Sequence, residues 1–435
     1  MGKQILIIGA GKSATVLIQY LQKKAVENGW YIVLADADVN LAAQKWNNAP
    51  NGHSQSLDVS ASDDRLACIE KADIVISMMP ASLHFLIAKD CLTLGKSLFT
   101  ASYVDDQMKS LASEIHDKKL LFLCEMGLDP GIDHMSAMEL VDRIRAKNGK
   151  ITSFKSHCGG LIAPECDTNP WHYKISWNPR NIILAGKAGA IFLEAGAKKT
   201  IDYLQIFENA QALTIPKIGT LAYYPNRDSL SYMATYHLQD LQNFVRTTLR
   251  HPDFCKSWNA IVQLGLTSES EFDSCPKTVQ QWFEIHLATN HLQQQYQHYR
   301  QDKVVATAFD FLAFNSPTIL PESLKNNASV LQWILEEKWK LEPSDKDLVV
   351  MMHEIAYEIG NQKHEIKSSL VVKGKDAYQT AMATTVGLPL AIAACAYLEN
   401  EITLTGLHIP TLPQIYQPIL KRLAAEGIQF EEQDY

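Results

Sequence analysis

The first 124 residues alternate short apolar runs with longer stretches in which apolar side chains recur at helical spacing. The short runs predict β-strands at residues 4–8, 31–35, 54–57, 74–78, 97–100 and 120–124. The stretches between them predict helices at 14–28, 39–46, 63–71, 83–94 and 105–117. Strands that alternate with helices are typical of βαβ units. The pattern therefore predicts the α/β class, with a doubly wound parallel sheet in a first domain of residues 1–130.

The pattern changes after a loop at 125–134 that is rich in Gly, Pro and Asp. Short β-like runs at 152–158, 172–176, 347–360 and 365–373 predict a mixed sheet, and helical spacing returns at 238–250, 279–291, 329–340 and 376–399. We therefore predict an α+β second domain from 131–233 and 346–399, with a mainly helical insertion at 234–345. A last amphipathic helix, 413–426, lies in a C-terminal segment, 400–435. The sequence leaves open whether this segment returns to the first domain.

Composition narrows the choice of partner and compartment. The chain of 435 residues is 46% hydrophobic, which predicts a globular core, and its net charge of −8 argues against duplex nucleic acid and anionic membranes as partners. The longest apolar stretch, 386–398, is shorter than the about 20 residues that span a bilayer. None of the eight cysteines forms a C-x-x-C pair or a zinc-like spacing, so we predict a reduced cytoplasmic protein without a metal site.

The turn after the first strand carries a dinucleotide fingerprint, Gly9-x-Gly11-x-x-Ala14. The first glycine permits a tight turn, the second lets the backbone approach a pyrophosphate, and a small third residue lets helix and strand pack closely. Lys12 and Ser13 complete the turn, and the helix that follows offers amide donors to phosphate. The alternative is a tight strand–helix turn without a ligand. We predict a Rossmann dinucleotide-binding domain.

Asp36 ends the second strand, where an acidic residue hydrogen-bonds the ribose 2′-hydroxyl of NAD. No Arg stands beside it to pair a 2′-phosphate, so NAD is predicted in preference to NADP. The alternative is that Asp36 or Asp38 is only a helix N-cap. Four further residues at the carboxyl edge of the sheet are predicted to contact the cofactor, and ordinary loop chemistry is the alternative for each: Asp58, Val59, Met79 and Pro80.

Several separated motifs carry a family resemblance. They are GAGKSA (9–14), TASYV (100–104), EMGLDPGIDHM (125–135), CGGLIAPE (158–165), NPWHYKISWNPR (169–180), YPNRDSL (224–230), RTTLR (246–250) and MATTVGLPLAIAA (382–394). In this order, over nearly the whole chain, they resemble saccharopine dehydrogenase of the L-glutamate-forming type, also called saccharopine reductase.

The resemblance implies an oxidoreductase of lysine metabolism with a Rossmann domain and a substrate domain. The family oxidises saccharopine at its secondary amine, and the imine is hydrolysed to L-glutamate and 2-aminoadipate 6-semialdehyde, reversibly. The chain departs from the family at two positions. Ala37 stands where fungal NADP-dependent members carry an Arg, and in this the chain is more similar to the animal members that use NAD. Thr247 stands where the family usually has a glycine, which allows a modest change in loop geometry.

The substrate implied by the resemblance has three carboxylates, and arginine binds carboxylates with two parallel hydrogen bonds. Arg227, Arg246 and Arg250 are the predicted carboxylate binders. Arg246 and Arg250 are four residues apart and would share one face of a helix. A solvated or ion-paired helix face is the alternative for this pair. Four further residues are predicted to contact substrate: Ser102, Asp133, Asn226 and Thr248.

Three side chains are candidates for moving a proton, namely Tyr103, Asp129 and Cys158. A carboxylate beside a secondary amine can hold the ammonium form or help water attack the imine. An unshifted tyrosine, with a pKa near 10, is a poor base. Turn chemistry is the alternative for Asp129, and an inert buried thiol is the alternative for Cys158. The sequence does not single out one general base.

Two other functions stay open at this point. One is a carboxyamine dehydrogenase similar to carboxynorspermidine synthase, which reduces an imine made from a different amine. The other is a non-catalytic Rossmann protein that binds a dinucleotide. A homodimer is the prior expectation for such a chain. Binding of a small-molecule substrate, without nucleic acid or membrane, is common to both enzymatic interpretations.

Overall fold

The structure is a computed structural model that describes residues 2–273 and 275–435. Its strands are, in chain order, β1 (Gln4–Ile8), β2 (Tyr31–Asp36), β3 (Gly52–Ser56), β4 (Ile74–Ser77), β5 (Ser97–Thr100), β6 (Leu121–Leu123), β7 (Lys150–Ile162), β8 (Ala190–Glu194), β9 (Ala197–Ile201), β10 (Gln211–Ile215), β11 (Gly219–Pro225), β12 (Arg227–Asp228), β13 (Asn243–Arg250), β14 (Asp347–Ile359), β15 (Gln362–Lys373), β16 (Gly406–His408) and β17 (Glu431–Asp434).

The helices are α1 (Thr15–Asn28), α2 (Val39–Trp46), α3 (Ser62–Glu70), α4 (Ala81–Leu94), α5 (Asp106–Ser110), α6 (Ala112–Asp117), α7 (Ile132–Ala146), α8 (Arg180–Ile183), α9 (Tyr203–Ile206), α10 (Ser231–Thr235), α11 (Pro252–Gln263), α12 (Val279–Thr289), α13 (Gln293–Arg300), α14 (Lys303–Leu312), α15 (Asn327–Lys338), α16 (Ala381–Leu398) and α17 (Pro413–Ala425). In the first 124 residues, the predicted strands and helices match the observed ones to within about two residues, with 105–117 split into α5 and α6.

The chain forms two compact units. Unit 1 is the chain up to Lys150 together with Tyr378–Glu431, and unit 2 is Ile151–Ala377 together with Glu432–Tyr435. These boundaries differ from the predicted ones, because helices α7 and α16 belong to unit 1 rather than to the second domain. Most residues of both helices are buried, and the sequence does not reveal which sheet a buried helix covers.

Unit 1 contains a seven-stranded sheet in the order β16-β6-β5-β4-β1-β2-β3, and every pairing in it is parallel. The inner strand β1 pairs with β2 and with β4 through Ile5, whose partners are Ile32 and Ile74. Strands buried on both faces require continuous apolar runs, and Ile5–Ile8 are fully buried. The α/β fold class with a doubly wound parallel sheet is confirmed.

The segment Tyr378–Glu431 completes unit 1. Strand β16 pairs with β6, α17 packs on α7, and α16 packs on α1. Helix α16 begins at Ala381, before the apolar stretch 386–398 recognised in the sequence, and it continues through Pro389 without a break. By length and composition α16 could cross a membrane, but 83% of its apolar window is buried inside the molecule. It is therefore a core helix of unit 1, apolar on all sides because neighbours cover it on all sides.

Unit 2 contains a mixed ten-stranded sheet, whose main path is β10-β11-β13-β7-β14-β15-β17. Strand β13 runs parallel to β7 and antiparallel to β11. The prediction of a helix over 238–250 is therefore wrong. Apolar or long side chains four residues apart share a face in a helix and also in a strand, so this spacing does not separate the two. The β-branched residues Val245, Thr247 and Thr248 favour the strand.

Helices α11 to α15 make the predicted helical part of unit 2. Aromatic side chains from these helices pack with a segment that was predicted as a strand at 172–176 and is irregular in the structure. Trp171 and Tyr173 of that segment contact Phe254, Trp258 and Trp339, with ring centroids 5.2–6.1 Å apart. The alternation that suggested a strand arises because alternate residues insert into this core.

Candidate dinucleotide and carboxylate sites

The glycine turn of unit 1 has the geometry that the fingerprint requires. Gly9 has φ +106°, and a Cβ there would lie 3.0 Å from the backbone carbon of Met78, so only glycine fits. A Cβ at Gly11 would meet no described atom within 4 Å, which leaves this side of the turn open to an approaching ligand. Ala14 is buried, as expected where the helix start packs on the sheet.

The start of α1 has no side-chain cap. Neither Gly11 nor Ala14 supplies a side-chain cap, and no acidic residue lies in the first turn of the helix. The first amides of a helix need acceptors, and the helix dipole favours an anion at this end. The exposed Lys12 and the half-buried Ser13 flank the same turn. These features suit a pyrophosphate.

Helix α16 packs against this turn at Gly387, a residue that interrupts the apolar stretch of the sequence. A Cβ at Gly387 would lie 2.9 Å from the carbonyl oxygen of Ser13 and 3.0 Å from Cβ of Leu17. The glycine thus lets two helices approach at the dinucleotide turn. Because the contact joins residues far apart in the chain, no local pattern could have revealed it.

Asp36 is tied to the glycine turn by its own side chain. The Ala10 N–H donates to Oδ2 of Asp36 at 2.6 Å, and the Asp38 N–H donates to Oδ1 at 2.9 Å. The carboxylate therefore fastens the turn. Asp38 is the N-cap of α2, and its side chain accepts the N–H groups of Asn40 and Leu41.

Lys45 of α2 also reaches the turn and was missed in the sequence. Its Nζ donates to the Gly11 carbonyl at 3.1 Å and to the hydroxyl of Thr15. Burial lowers the pKa of Lys45 to about 8. Among the described residues, no carboxylate forms an ion pair with this amine. The sequence does not indicate a role for Lys45, because its contact with the turn depends on where α2 lies in the fold.

The other predicted cofactor residues lie in different surroundings. Asp58 is exposed and accepts the N–H and hydroxyl of Ser60, which lower its pKa. Val59 is buried in the core of unit 1 and does not offer a surface to a ligand, which argues against its predicted role. Met79 is half-buried and Pro80 is exposed, where they lead from β4 into α4.

A buried histidine connects two strand ends in unit 1. Nδ1 of His84 lies 2.9 Å from Oγ of Ser77, and Nε2 lies 2.7 Å from Oγ of Ser102. Burial lowers the pKa of His84 to about 4, so the ring is neutral at pH 7. Ser102, a predicted substrate contact, is thus held by His84. No local pattern in the sequence singles out this histidine on α4.

Tyr103 and Asp129, the first two candidates for proton transfer, come together in the structure. The Tyr103 hydroxyl donates to Oδ1 of Asp129 at 3.4 Å, and both side chains are half-buried. Half-burial leaves the pair accessible to a ligand, while it restricts the orientation of the carboxylate.

Glu125, Asp133 and His134 form a buried polar network in the loop that carries Asp129. Glu125 accepts the Val104 N–H at 3.0 Å and lies 2.8 Å from Nε2 of His134. Oδ2 of Asp133 lies 3.5 Å from the other nitrogen of His134, and Oδ1 accepts the Gly131 N–H at 2.6 Å. Because Asp133 is only 1% exposed, the structure argues against its predicted contact with substrate. Its place is inside the loop that carries Asp129.

In unit 2, three adjacent strands align a second set of candidates. Thr248 of β13 is the cross-strand partner of Cys158 on β7 and of Tyr224 on β11. The Thr248 hydroxyl hydrogen-bonds the phenol of Tyr224, and burial raises the pKa of Tyr224 to about 12. Since alternate residues of a strand share a face, Arg246, Thr248 and Arg250 lie on one face. The shared face was predicted, although for a helix.

Arg250 is a buried cation. Its side chain is 5% exposed, its guanidinium carbon lies 5.2 Å from the ring of Tyr173, and its Nη1 donates to the Leu249 carbonyl at 2.8 Å. Its Nε has no hydrogen-bond partner, and no carboxylate among the described residues forms an ion pair with it. Buried charges are normally paired, so an unpaired guanidinium indicates a site for an external anion.

Arg246 and Arg227 differ in exposure. The guanidinium of Arg246, 7% exposed, stacks 4.4 Å above the ring of Tyr232. Its backbone N–H donates to Oγ of Ser229, and its carbonyl accepts the Asn226 N–H at 2.9 Å. Arg227 is exposed and has φ +53°. Asn226 is thus placed by the backbone of Arg246, directly beside the exposed Arg227.

Thr247, the departure from the family pattern, has a partner on the opposite face of β13. Oγ1 of Thr247 lies 2.7 Å from Nδ1 of His157, whose Nε2 lies 3.2 Å from Glu354. Burial lowers the pKa of His157, so the ring is neutral. Burial raises the pKa of Glu354, but hydrogen bonds from His157 and Lys367 outweigh it and lower that pKa to about 2. The segment is a regular strand, so the expected change in loop geometry does not occur.

Comparison with known proteins identifies related families and structures. Residues 5–123 match the family model described as saccharopine dehydrogenase NADP binding domain. Residues 127–428 match the model described as saccharopine dehydrogenase C-terminal domain. Together they cover nearly the whole chain.

Relatives with assigned names agree with these models. The saccharopine dehydrogenase [NADP(+), L-glutamate-forming] of Schizosaccharomyces pombe is 29% identical, over 99% of this chain and 98% of the relative. The mitochondrial alpha-aminoadipic semialdehyde synthase of Bos taurus is 30% identical, over 99% of this chain and 48% of the relative. The chain therefore spans about half the length of the synthases that it matches.

Solved structures show the same fold. The apo saccharopine dehydrogenase (L-Glu forming) of Saccharomyces cerevisiae superimposes with a TM-score of 0.90 at 28% identity, over 100% of both chains. The homospermidine synthase of Legionella pneumophila superimposes with a TM-score of 0.59 at 12% identity, over 100% of this chain and 91% of the other. The second likeness concerns the fold alone.

The preference for NAD predicted from Asp36 is wrong. The N-terminal family model is an NADP binding domain, and the fungal relatives are named as NADP(+) enzymes. The physical reason lies in the contacts of Asp36, whose two carboxylate oxygens accept the N–H groups of Ala10 in the turn and of Asp38 before α2. An acid at this position therefore has a structural use, and its presence does not select between the cofactors.

Proposed function

Because the chain belongs to the saccharopine dehydrogenase family, we propose that it is an NADP-dependent saccharopine dehydrogenase of the L-glutamate-forming type. In the proposed reaction, the secondary amine of saccharopine is oxidised to an imine. Water then adds to the imine carbon, and the C–N bond breaks to give L-glutamate and 2-aminoadipate 6-semialdehyde. The reverse direction condenses the two products and reduces the imine, within lysine metabolism.

The observation that carries this proposal is the buried, unpaired Arg250. A substrate with three carboxylates can supply the anion that no described side chain provides. Arg246 lies on the same face of β13, so one face of this strand carries two guanidinium groups. Thr248 stands between them, and the exposed Arg227 with Asn226 lies where β11 leads into β12. We assign these five residues to binding of the substrate carboxylates.

The cofactor is proposed to bind at the glycine turn of unit 1. The uncapped amides of α1 suit the pyrophosphate, with Gly9, Gly11, Ser13 and Ala14 shaping the turn. We assign Lys12 and Lys45 to the phosphates, because an amine that is short of an anionic partner gains one there. When bound, NADP supplies the hydride acceptor.

Proton transfer is assigned to Asp129, with Tyr103 as its hydrogen-bond partner. An ionised Asp129 can take the proton of the substrate ammonium, which frees the nitrogen lone pair for oxidation. It can then orient the water that attacks the imine. The Tyr103 hydroxyl, 3.4 Å away, holds the carboxylate in place. Cys158, 7% exposed and beside Thr248, is assigned to the wall of the carboxylate site.

The test is the absorbance change at 340 nm of purified protein with saccharopine and NADP, with NAD and carboxynorspermidine in parallel. We expect NADPH formation with saccharopine. Variants Lys45→Met and Lys12→Met are expected to weaken NADP binding more than NAD binding. Turnover of carboxynorspermidine but not of saccharopine would move the chain to the carboxyamine dehydrogenases. Dinucleotide binding without any turnover would favour the non-catalytic alternative.

We also propose that the enzyme is a cytoplasmic homodimer. All eight cysteines are free in the structure, as expected in a reducing compartment. Sedimentation of the purified protein measures the oligomeric state. A monomer at the concentrations of the activity assay would contradict the dimer.

A further inference from the structure

A cluster of two histidines and two aspartates lies in unit 2, next to the end of β13. His172 belongs to the irregular aromatic segment, His251 follows Arg250 directly, and Asp253 is in the first turn of α11. One ligand atom from each of these three residues lies within 4.8 Å of the others. The two imidazole rings stack with centroids 3.7 Å apart. The proposed oxidoreductase reaction uses none of these side chains.

The contacts of the cluster place Nε2 of His172 beside Asp253. Nδ1 of His172 lies 2.5 Å from Oδ2 of Asp167, so Nδ1 carries the proton that this carboxylate accepts. In the neutral ring, Nε2 is then unprotonated, and it lies 3.5 Å from Oδ2 of Asp253. A carboxylate behind a histidine, with the other ring nitrogen toward a second ligand, is the arrangement that orients histidines in metal sites.

His251 supplies the third donor. Its Nδ1 accepts the Asp253 N–H at 3.2 Å, so this nitrogen is also unprotonated, and it lies 4.0 Å from Oδ2 of Asp253. The hydrogen bond is long and would be exchanged for a metal bond. All three side chains are half-buried, at 28%, 35% and 38% exposure, so an ion can reach them from solvent.

We propose that His172, His251 and Asp253 bind a divalent transition cation of the zinc type, with Asp167 positioning His172. Tetrahedral ligands at about 2.0–2.1 Å from zinc lie about 3.4 Å from one another, close to the spacing of His172 and Asp253. Two imidazoles and a carboxylate favour Zn²⁺, Co²⁺ or Ni²⁺ over Mg²⁺ and Ca²⁺. The two aspartates supply the negative charge that offsets the cation.

The place of the site suggests what the ion does. It joins the irregular segment around His172 to the residue that follows Arg250, and Tyr173 of that segment packs on the Arg250 guanidinium. A bound ion therefore fixes the end of β13 and one wall around Arg250. The role is structural, because none of the four residues is assigned to the reaction. The sequence predicted no metal site, since His172 and His251 lie far apart in the chain.

The test uses the tag-free chain of 435 residues, stripped of metal with EDTA and titrated with Zn²⁺ by calorimetry. We expect one equivalent to bind. His172→Gln and Asp253→Asn should each weaken binding at least tenfold, and Asp167→Asn should weaken it by about tenfold through the loss of orientation. His291→Gln, at an exposed histidine outside the cluster, is the matched control and should bind as the wild type does.

A second readout separates loss of the site from loss of folding. Co²⁺ bound by nitrogen and oxygen ligands absorbs visible light, and the band should disappear in His172→Gln while the circular dichroism stays that of the wild type. The melting temperature of the wild type should rise with Zn²⁺, and that of His172→Gln should not. No saturable binding, or equal binding by wild type, His172→Gln and Asp253→Asn, would refute the site, whatever the outcome of the saccharopine assay.

Discussion

Arg250 is a buried charged residue that is also proposed to bind a substrate carboxylate. A guanidinium at 5% exposure without an ionic partner reduces the stability of the free protein, and the same group is ready for an incoming carboxylate. Its aromatic neighbours Tyr173 and Phe254 hold the planar group in one orientation. Stability and binding therefore make opposite demands at this position.

Substitution of Arg250 separates its effect on substrate binding from its effect on stability. Arg250→Met keeps an unbranched but shorter side chain and removes the charge. The KM for saccharopine should rise by about 10- to 100-fold, because a charged hydrogen bond of about 1.5–3 kcal/mol is lost. The melting temperature should stay equal or rise. Arg300→Met, at a surface ion pair with Asp310, is the control and should change neither. A large fall in the melting temperature of Arg250→Met with unchanged KM would contradict this assignment.

The lowered pKa of His84 predicts how the stability of the protein depends on pH. Its pKa is about 4 in the folded protein and about 6.5 when unfolded, so the unfolded chain binds the proton more readily. The stabilisation from the neutral ring is complete above pH 6.5 and is lost as the pH falls towards 4, by about 3 kcal/mol.

We expect the melting temperature of His84→Gln to fall less between pH 7 and pH 4.5 than that of the wild type. Scanning calorimetry at the two values measures the difference. His291→Gln, at an exposed histidine, should keep the dependence of the wild type. Equal pH dependence in wild type and His84→Gln would show that the bridge from Ser77 to Ser102 does not need a neutral ring.

At the scale of elements, strand β13 serves two functions on its two faces. Arg246, Thr248 and Arg250 face one way, and Thr247 faces His157 on the other. A single strand therefore carries the proposed carboxylate site and part of the internal packing of unit 2. Substitutions at neighbouring positions should have effects of different kinds.

Thr247→Gly restores the residue usual in the family and tests this division. It removes the hydroxyl from the buried His157 and places a flexible residue inside a strand, so unfolding should cost about 1–3 kcal/mol less, with unchanged KM. Thr248→Val keeps the shape and removes the hydroxyl on the site face. It should raise the KM for saccharopine, with a small change in melting temperature. The opposite pattern would mean that the two faces are assigned in reverse.

At the scale of the whole molecule, unit 1 is made of two segments that flank unit 2 in the chain. The second segment, Tyr378–Glu431, supplies a core helix, an edge strand and a covering helix. Its helix α16 contacts the dinucleotide turn through Gly387. The glycine fingerprint is therefore necessary for the turn but is not sufficient to build it.

A chain that ends at Ala377 should lose dinucleotide binding and the folding of unit 1, because α1 and β6 lose their partners. The control ends at Glu431 and lacks only the exposed Glu432–Tyr435. It should keep binding. NADPH fluorescence and limited proteolysis measure both effects. Tight binding by the chain ending at Ala377 would show that residues 1–150 fold alone.

The sequence was most informative about contacts between residues or elements that are close together in the chain. The strands of unit 1, the glycine turn and the pair Tyr103–Asp129 follow from local patterns, because the carboxyl ends of parallel strands share one edge of the sheet. Contacts between distant segments were not predictable, as for Gly387 on Ser13 or His84 between two strand ends. Strand β13 was misread because spacing by four is common to both regular structures. Asp36 misled because a carboxylate can bind a ribose or a backbone amide equally well.

The split construction of unit 1 also governs the order in which the protein can fold while it is being synthesised. The N-terminal strands leave the ribosome first, but β16, which pairs with β6, and α16, which covers α1, are made after all but the last four residues of unit 2. At about 5–20 residues per second, the interval between β6 and β16 lasts roughly 15–60 s. During that interval the edge of β6 and the apolar face of α1 are uncovered in the nascent chain, while the bulk of unit 2 can already form.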